Sequence, residues 1–253
     1  MKNKNIIFLH IPKTAGTTIQ TGFRNISENN KKVVYSKAAV PGLVDHFSLD
    51  HFKNLDLNEN INILKGHFVF SDICKNFELF SMVREIVDLF ISNLYFFYIE
   101  EYLRQNLNSV NITNIKKKIN IDLTLSNSDL KIISKLLKYS FVNSNIITKT
   151  LAGIPFEKHF FVEEDYKLNE KDFFLAKENL KYFTYIGNTT SVQKFLNFFL
   201  QYVPVNSFEV SNKRFFKKDQ KLINDIKYNL ADQIKEYNYF DTEMLKIIKK
   251  KFK

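Results

Sequence analysis

The sequence predicts an α/β fold in which a mostly parallel central sheet is covered by helices on both faces. Short apolar runs typical of strands alternate with longer helical stretches, and this order builds parallel sheets. The first unit is a strand, a short polar loop and a helix, as in P-loop-like three-layer folds. The 253 residues, 45 % of them apolar, suit one domain, which we expect to span 1–253.

Four apolar runs in the first part of the chain predict strands. The elements expected there are a strand between Asn5 and His10, a helix over 17–26, strands over 33–35, 61–65 and 77–83, and a helix from Arg84 to about residue 103. A polar connection over 43–54 contains His46 and His51.

The second part of the chain is richer in predicted helix. We expect mainly helix over 100–150, strands over 160–162 and 183–186, a helix over 170–180 capped by Asn169, and an amphipathic helix over 191–202. A basic region over 213–253 ends the chain, helical from 222 to 252 with one interruption near Tyr239.

The loop after the first strand predicts an anion site. It reads Pro12-Lys13-Thr14-Ala15-Gly16-Thr17-Thr18. Amides at a junction between a loop and a helix bind phosphate, because they point outward and the helix dipole favours negative charge. In the common nucleotide-triphosphate loop the lysine follows the glycines, whereas here Lys13 precedes the loop's single glycine, Gly16.

This order of residues resembles the 5′-phosphosulfate loop of the carbohydrate sulfotransferases. The likeness is to sulfotransferase family 2, which includes heparan-sulfate 2-O-sulfotransferase-like enzymes and many bacterial members. It implies the donor 3′-phosphoadenosine 5′-phosphosulfate, bound at its 5′-phosphate by residues 12–18, and no metal. It also implies that Lys13 neutralises charge on the leaving group as the bond to sulfur breaks.

A second anion contact is expected from Arg84 and Ser92. Arg84 ends a predicted strand, and Ser92 lies about two helical turns further on, so both side chains are expected to face one anion. The segment resembles the family's 3′-phosphate motif, Arg-Asp-Pro-x-x-Arg-x-x-Ser followed by aromatic residues. It departs from that motif at Glu85, Ile86 and Leu89.

The general base is expected to be His67. It follows Gly66 at the end of a predicted strand, and ligands bind at the carboxyl ends of strands in open α/β sheets. The Gly-His pair resembles the position of the family's base, and histidine suits proton removal from a hydroxyl near neutral pH. His46 and His51 are competing bases, whereas His10 and His159 are interpreted as structural.

Further segments resemble the family more loosely. They are 145–153, which resembles Asn-x-x-Thr-Arg-x-Leu-x-Gly with Lys149 in place of Arg, and 185–190, which resembles Val-Gly-Leu-Thr-Glu with Thr190 in place of Glu. A late basic loop with Lys213 and Arg214 is expected to close over the nucleotide. Residues 100–150 are expected on the acceptor side, where the resemblance is sparse.

Composition and charge limit the kinds of site, location and ligand that we expect. A single cysteine, Cys74, excludes an intramolecular disulfide and a multi-cysteine metal site. No run reaches the roughly 18 apolar residues of a membrane span, and the apolar N-terminal run is too short for a signal peptide, so we expect a cytoplasmic protein. The net charge of +10 suits anionic ligands.

The acceptor is expected to be a hydroxyl, with a glycan favoured by the resemblance. A lipid or small-molecule hydroxyl stays open, and the sequence predicts no oligomeric state and no nucleic acid beyond the nucleotide donor. Two alternatives to a sulfotransferase also stay open. One is a P-loop-like nucleotide kinase or NTPase that uses magnesium and ATP, and the other is a non-catalytic protein that binds polyanions through the basic C-terminal region.

Overall fold

The computed structural model describes residues 5–37, 61–67, 69–94, 145–154, 167–203 and 220–253. All structural statements refer to these residues. The predicted polar connection over 43–54, the strand over 160–162 and most of the helical region over 100–150 lie outside them.

Five strands form one sheet, and every neighbouring pair in it is parallel. The strands are β1 (Ile6–Leu9), β2 (Val33–Lys37), β3 (Ile61–Gly66), β4 (Glu78–Val83) and β5 (Phe183–Asn188). Their order is β2-β3-β1-β4-β5, which puts β1 at the centre. The last residue of β1, Leu9, pairs with Gly66 on one side and Ser81 on the other. The carboxyl ends of β1, β3 and β4 therefore meet at one edge.

Helices cover both faces of this sheet. They are α1 (Gly16–Asn29), α2 (Ile86–Leu94), α3 (Ile146–Ala152), α4 (Glu170–Asn179), α5 (Val192–Phe199), α6 (Gln220–Asn229), α7 (Ala231–Tyr237) and α8 (Tyr239–Lys251). Short 3₁₀ turns at Leu180–Tyr182 and Thr189–Ser191 connect β5 to α4 and α5, and a third, Asp72–Asn76, lies between β3 and β4.

Alternate residues of β1 face two separate apolar layers. Ile6 and Phe8 pack with α1 and α5, where Phe23, Phe195 and other aromatic rings meet at T-shaped angles. Ile7 and Leu9 pack on the opposite side with α2, α3, α4, α6, α7 and α8. Because all four residues of β1 are buried, the strand is a continuous apolar run rather than an alternating one. The protein thus has a P-loop-like three-layer α/β fold, as the sequence predicts.

The structure corrects one predicted element and confirms another. The C-terminal region has two interruptions instead of one, at Leu230 and Asn238, and the second of them is the break expected near Tyr239. Leu230, at the first break, is buried, and at the second break the packing partners change: α6 and α7 pack against α2, whereas α8 packs against α3 and α4. The cap on α4 is as predicted: the Asn169 side chain accepts from the amides of Lys171 and Asp172, which completes a capping box.

Candidate functional site

The central strands bring two of the predicted site residues, and one histidine interpreted from the sequence as structural, to one edge of the sheet. His10, His67 and Arg84 are the first residues after β1, β3 and β4. In parallel sheets ligands bind outside the carboxyl ends of the strands, next to the central ones. The backbone therefore brings these side chains to the place where a ligand of this fold class binds.

The loop between β1 and α1 is held in an unusual backbone conformation. Lys13 and Ala15 both have left-handed backbones, with φ of 64° and 63°, a conformation that costs about 1–2 kcal/mol for each residue other than glycine. Buried Thr14 secures the turn, because its hydroxyl donates to the carbonyl of Ile11 over 2.6 Å. A local cost of this kind is typical of functional loops whose surroundings fix the backbone.

The N-terminus of α1 faces this loop without a side-chain cap. Ala15 occupies the capping position, and the first turn of α1 contains no acidic residue. A left-handed residue followed by a helical one, as at Ala15 and Gly16, turns successive amides toward the same side, and such a group of amides binds anions. The exposed Thr17 and the half-buried Thr18 add hydroxyls at this helix end. The loop over 12–18 therefore has uncapped amides at the start of α1 that are available to an anion, and phosphate binding there stays a prediction.

Arg84 lies directly against the loop between β1 and α1. Its Nη1 donates to the main-chain carbonyl of Lys13 over 3.3 Å. The side chain is only partly exposed, and burial lowers the pKa of the guanidinium, an effect that the nearby Asp88 carboxylate opposes. A guanidinium stays charged despite such a shift. One of its five N–H donors is used on the loop, and the planar group can offer others to an anion.

Glu85, a departure from the family motif, has a structural role beside Arg84. Its carboxylate accepts from the Asn188 side chain over 2.9 Å at the end of β5 and pairs with Lys249 of α8 over 2.8 Å. A second ion pair, between Asp88 and Lys227 over 2.8 Å, joins α2 to α6. The start of α2 is therefore connected to β5 and to the C-terminal helices.

Ser92 is buried inside α2, about 9 Å along the helix axis from Ile86. It is 7 % exposed, and its hydroxyl makes no hydrogen bond to another described residue. The structure shows no contact between Ser92 and Arg84, so a common anion for the two stays a prediction. Ser81 was not predicted, yet its buried hydroxyl donates to the carbonyl of Leu9 over 2.7 Å and joins β4 to the last residue of β1.

His67 lies at the end of β3 beside His10. Its Nδ1 is 3.0 Å from the main-chain carbonyl oxygen of His10, and the two rings lie 4.2 Å apart between centroids at 32°. His10 is almost fully buried, and its ring packs on Gly16, where a Cβ atom would overlap the imidazole. Gly16, the single glycine of this loop, is therefore required by the close approach of the His10 ring.

The structure also shows a buried lysine next to this site that was not predicted from the sequence. Lys65, the residue before Gly66 on β3, is 3 % exposed, and its Nζ is 3.5 Å from the side-chain oxygen of Gln20 on α1. It lies on the same face of the sheet as Ile63, under α1. The available signal was a lysine near the end of an otherwise largely apolar strand, and it places another cation near the start of α1.

The segment over 145–153 is explained by packing. Asp241 of α8 accepts hydrogen bonds from the amides of Ile147 and Thr148 over 3.0 and 2.7 Å, and its own amide donates to the Asn145 side chain over 3.1 Å. Burial raises the pKa of Asp241 to about 6, against the opposing effects of these amides and the Lys149 charge. The segment therefore forms a cap shared by α3 and α8.

Other predicted residues lie outside the described part of the chain. They are the loop residues Lys213 and Arg214, the competing bases His46 and His51, and His159. Their predicted roles stay predictions.

Comparisons with known proteins add no assignment. No family model matches the chain, and a search of the curated proteins finds no match. Within the ranges that the structure describes, no helix is long and apolar enough to cross a membrane.

Proposed function

We propose that this protein is a sulfotransferase that moves a sulfuryl group from 3′-phosphoadenosine 5′-phosphosulfate to a hydroxyl. The observation that carries the proposal is the contact of Arg84 with the carbonyl of Lys13. This contact puts the guanidinium of Arg84 beside a loop whose backbone suits phosphate. Arg84 follows β4, which is one neighbour of β1 in the sheet. His67 lies on the other neighbour of β1, so candidate cation and candidate base flank the loop.

In the proposed reaction the acceptor oxygen attacks sulfur while the bond from sulfur to the 5′-phosphate oxygen breaks. The proton of the acceptor hydroxyl passes to His67, and the products are a sulfate ester and adenosine 3′,5′-bisphosphate. The amides of residues 13–18 would bind the 5′-phosphate, and Lys13 would neutralise the charge on the leaving oxygen. Arg84 and Ser92 would bind the 3′-phosphate, and Lys213 with Arg214 would cover the nucleotide.

We infer that the acceptor is a glycan hydroxyl and that transfer takes place in the cytoplasm. The support for the glycan acceptor is the likeness of the loop and of the Arg84 segment to the carbohydrate sulfotransferases, whereas the cytoplasmic location stays an expectation from the sequence. Nothing in the described site selects one sugar, so the acceptor is to be found by offering hydroxylated glycans, lipids and small molecules in parallel.

The first experiment measures nucleotide binding. Adenosine 3′,5′-bisphosphate should raise the melting temperature of the protein by an amount that grows with the logarithm of its concentration above Kd, and ADP at the same concentration should do so much less. Lys13→Ala should remove the shift, whereas Lys32→Ala, which changes an exposed lysine in the turn before β2, is the matched control and should retain it. Equal stabilisation by ADP would contradict a site that recognises the 3′-phosphate.

The second experiment measures transfer of labelled sulfate from the donor. Lys13→Ala and His67→Ala should each abolish transfer while the protein stays folded. Transfer retained by His67→Ala would remove His67 as the base without removing the sulfotransferase itself.

The same assays separate the alternatives. Tight binding of ATP with magnesium, together with no affinity for adenosine 3′,5′-bisphosphate, would favour a kinase or NTPase. Binding of nucleic acid or sulfated glycan that survives loss of Lys13 and Arg84 would favour a polyanion-binding protein. The ion pairs of Lys227 and Lys249 already engage part of the basic C-terminal region with α2 and its start, which argues against that reading.

A further inference from the structure

We propose that His10 is a positioning residue for His67, holding its imidazole with the proton on Nδ1 and the lone pair on Nε2. This inference rests on the proposed function for its catalytic meaning, because it concerns the base of that reaction. The sequence suggested only a structural histidine at position 10. In the structure both parts of His10 contact the His67 imidazole: the main-chain carbonyl lies beside Nδ1, and the ring covers one face.

The main chain of His10 extends the sheet ladder beyond the ends of the strands. Its amide donates to the carbonyl of Gly66 over 2.9 Å, and its carbonyl oxygen lies 3.0 Å from Nδ1 of His67. A carbonyl oxygen only accepts hydrogen bonds, so this contact requires the proton on Nδ1 of His67. The neutral imidazole then has its lone pair on Nε2, which is the form that takes a proton from a hydroxyl.

The ring of His10 fixes the plane of the His67 imidazole. The centroids are 4.2 Å apart and the rings are inclined at 32°, so one face of His67 is covered. His10 itself is 8 % exposed, and on its other contact it packs against Gly16, where no Cβ atom fits. Its ring thus lies between the first residue of α1 and the proposed base.

This arrangement joins the phosphate loop to the base through one side chain. A ligand that orders the amides at Gly16 also orders the surface on which the His10 ring rests. The carbonyl of His10 further stabilises the imidazolium that forms when His67 takes the proton, as orienting acceptors do for other catalytic histidines. A side chain that only filled the core would leave the tautomer of His67 unchanged when it is removed.

The test is the tautomer of His67, read from long-range ¹⁵N–¹H NMR correlations of the histidine-labelled protein. Resonances are assigned by comparison with His67→Gln. We expect His67 in the unliganded protein to be protonated on Nδ1 only. His10→Ala should mix the two tautomers, and His10→Phe, which restores a flat ring, should preserve the Nδ1–H form.

Control and activity data complete the test. Phe23→Leu, which shortens a buried ring of α1 that packs on Phe8, should lower stability without changing the His67 spectrum. For transfer, His10→Ala should lower kcat by about tenfold to a hundredfold, the range found when a group that orients an active residue is lost, and His10→Phe should recover most of it.

Two results would overturn the proposal: protonation of His67 on Nε2 in the wild-type protein, or an unchanged His67 spectrum in His10→Ala. If His10→Ala does not fold, a shift of His67 to the Nε2–H form in His10→Phe would also overturn the proposal. None of these readings needs substrate. Failure of the sulfotransferase assignment, seen as absent binding of adenosine 3′,5′-bisphosphate, is therefore distinguished from failure of the His10 proposal.

Discussion

Arg84 donates from Nη1 to the main-chain carbonyl of Lys13, and so links the end of β4 to the predicted phosphate loop after β1. The two residues lie far apart in the sequence but follow neighbouring strands. Because Lys13 has a left-handed backbone, its carbonyl points where an ordinary turn would not send it. The guanidinium therefore both supports the loop and adds positive charge to it.

Arg84→Lys should weaken binding of adenosine 3′,5′-bisphosphate at least about tenfold, which is about 1.4 kcal/mol. A lysine offers one compact ammonium group and cannot serve the loop carbonyl and an anion with the planar fork of a guanidinium. Isothermal titration calorimetry measures the affinity. Arg24→Lys, at an exposed position of α1, is the matched control. Affinity that is unchanged in Arg84→Lys would mean that Arg84 contributes only its charge and not the geometry of its guanidinium.

Gly16→Ala should destabilise the protein by about 1–3 kcal/mol, the usual cost of overpacking. The new methyl group overlaps the His10 ring, so the ring has to move. This movement is costly because the ring is buried. A double-mutant cycle on the free energy of unfolding checks the cause: in a His10→Ala background the same substitution should cost clearly less. Additive costs would show that the clash is not with His10.

The ends of the strands and the loop between β1 and α1 could be predicted because their signals are local. An apolar run before Lys13 and a helix start after Gly16 define strand, loop and helix within a dozen residues or so. The same holds for Asn169, whose capping partners follow it directly in the sequence. Parallel pairing then follows from the alternation of strands and helices, and it brings His67 and Arg84 to either side of β1.

The contacts that the sequence did not reveal are long-range. His10 was interpreted as structural because nothing near it in the sequence points to His67, its partner after β3. Glu85 was noted only as a departure from a motif, since its partners Asn188 and Lys249 lie on β5 and α8. Such pairs depend on how layers stack, and neither periodicity nor composition specifies that stacking.

Two buried serines should separate stability from binding. Ser81→Ala should lower the free energy of unfolding by about 1 kcal/mol, because it leaves the buried carbonyl of Leu9 without its 2.7 Å donor. Ser92→Ala should change stability little, since its hydroxyl bonds to no other described residue, but it should weaken binding of adenosine 3′,5′-bisphosphate. Urea denaturation and calorimetry measure the two quantities. Unchanged affinity in Ser92→Ala would remove Ser92 from the proposed 3′-phosphate site.

The Asp241 carboxyl should make stability depend on pH in a direction opposite to that of an ordinary salt-bridged acid. Its pKa in the folded protein is raised to about 6, from 3.8, so the folded state holds the proton more tightly than the unfolded state. The Asp241 contribution to stability is therefore fully present below about pH 4 and falls as pH rises to about 6. The change is at most about 3 kcal/mol.

Asp241→Asn removes this titration while keeping one acceptor for the amides of Ile147 and Thr148. The free energy of unfolding from urea denaturation, measured for both proteins between pH 4 and 7, should shift in favour of the variant as pH rises. Asp232→Asn, which removes an exposed carboxylate of α7 together with its surface ion pair to Lys235, reports the effect of losing one exposed negative charge. The difference in free energy of unfolding between wild type and Asp241→Asn could also stay constant over this range. That result would show that the pKa of Asp241 is not raised in the folded protein, because the titration of Asp241 is the only pH-dependent contribution that the substitution removes.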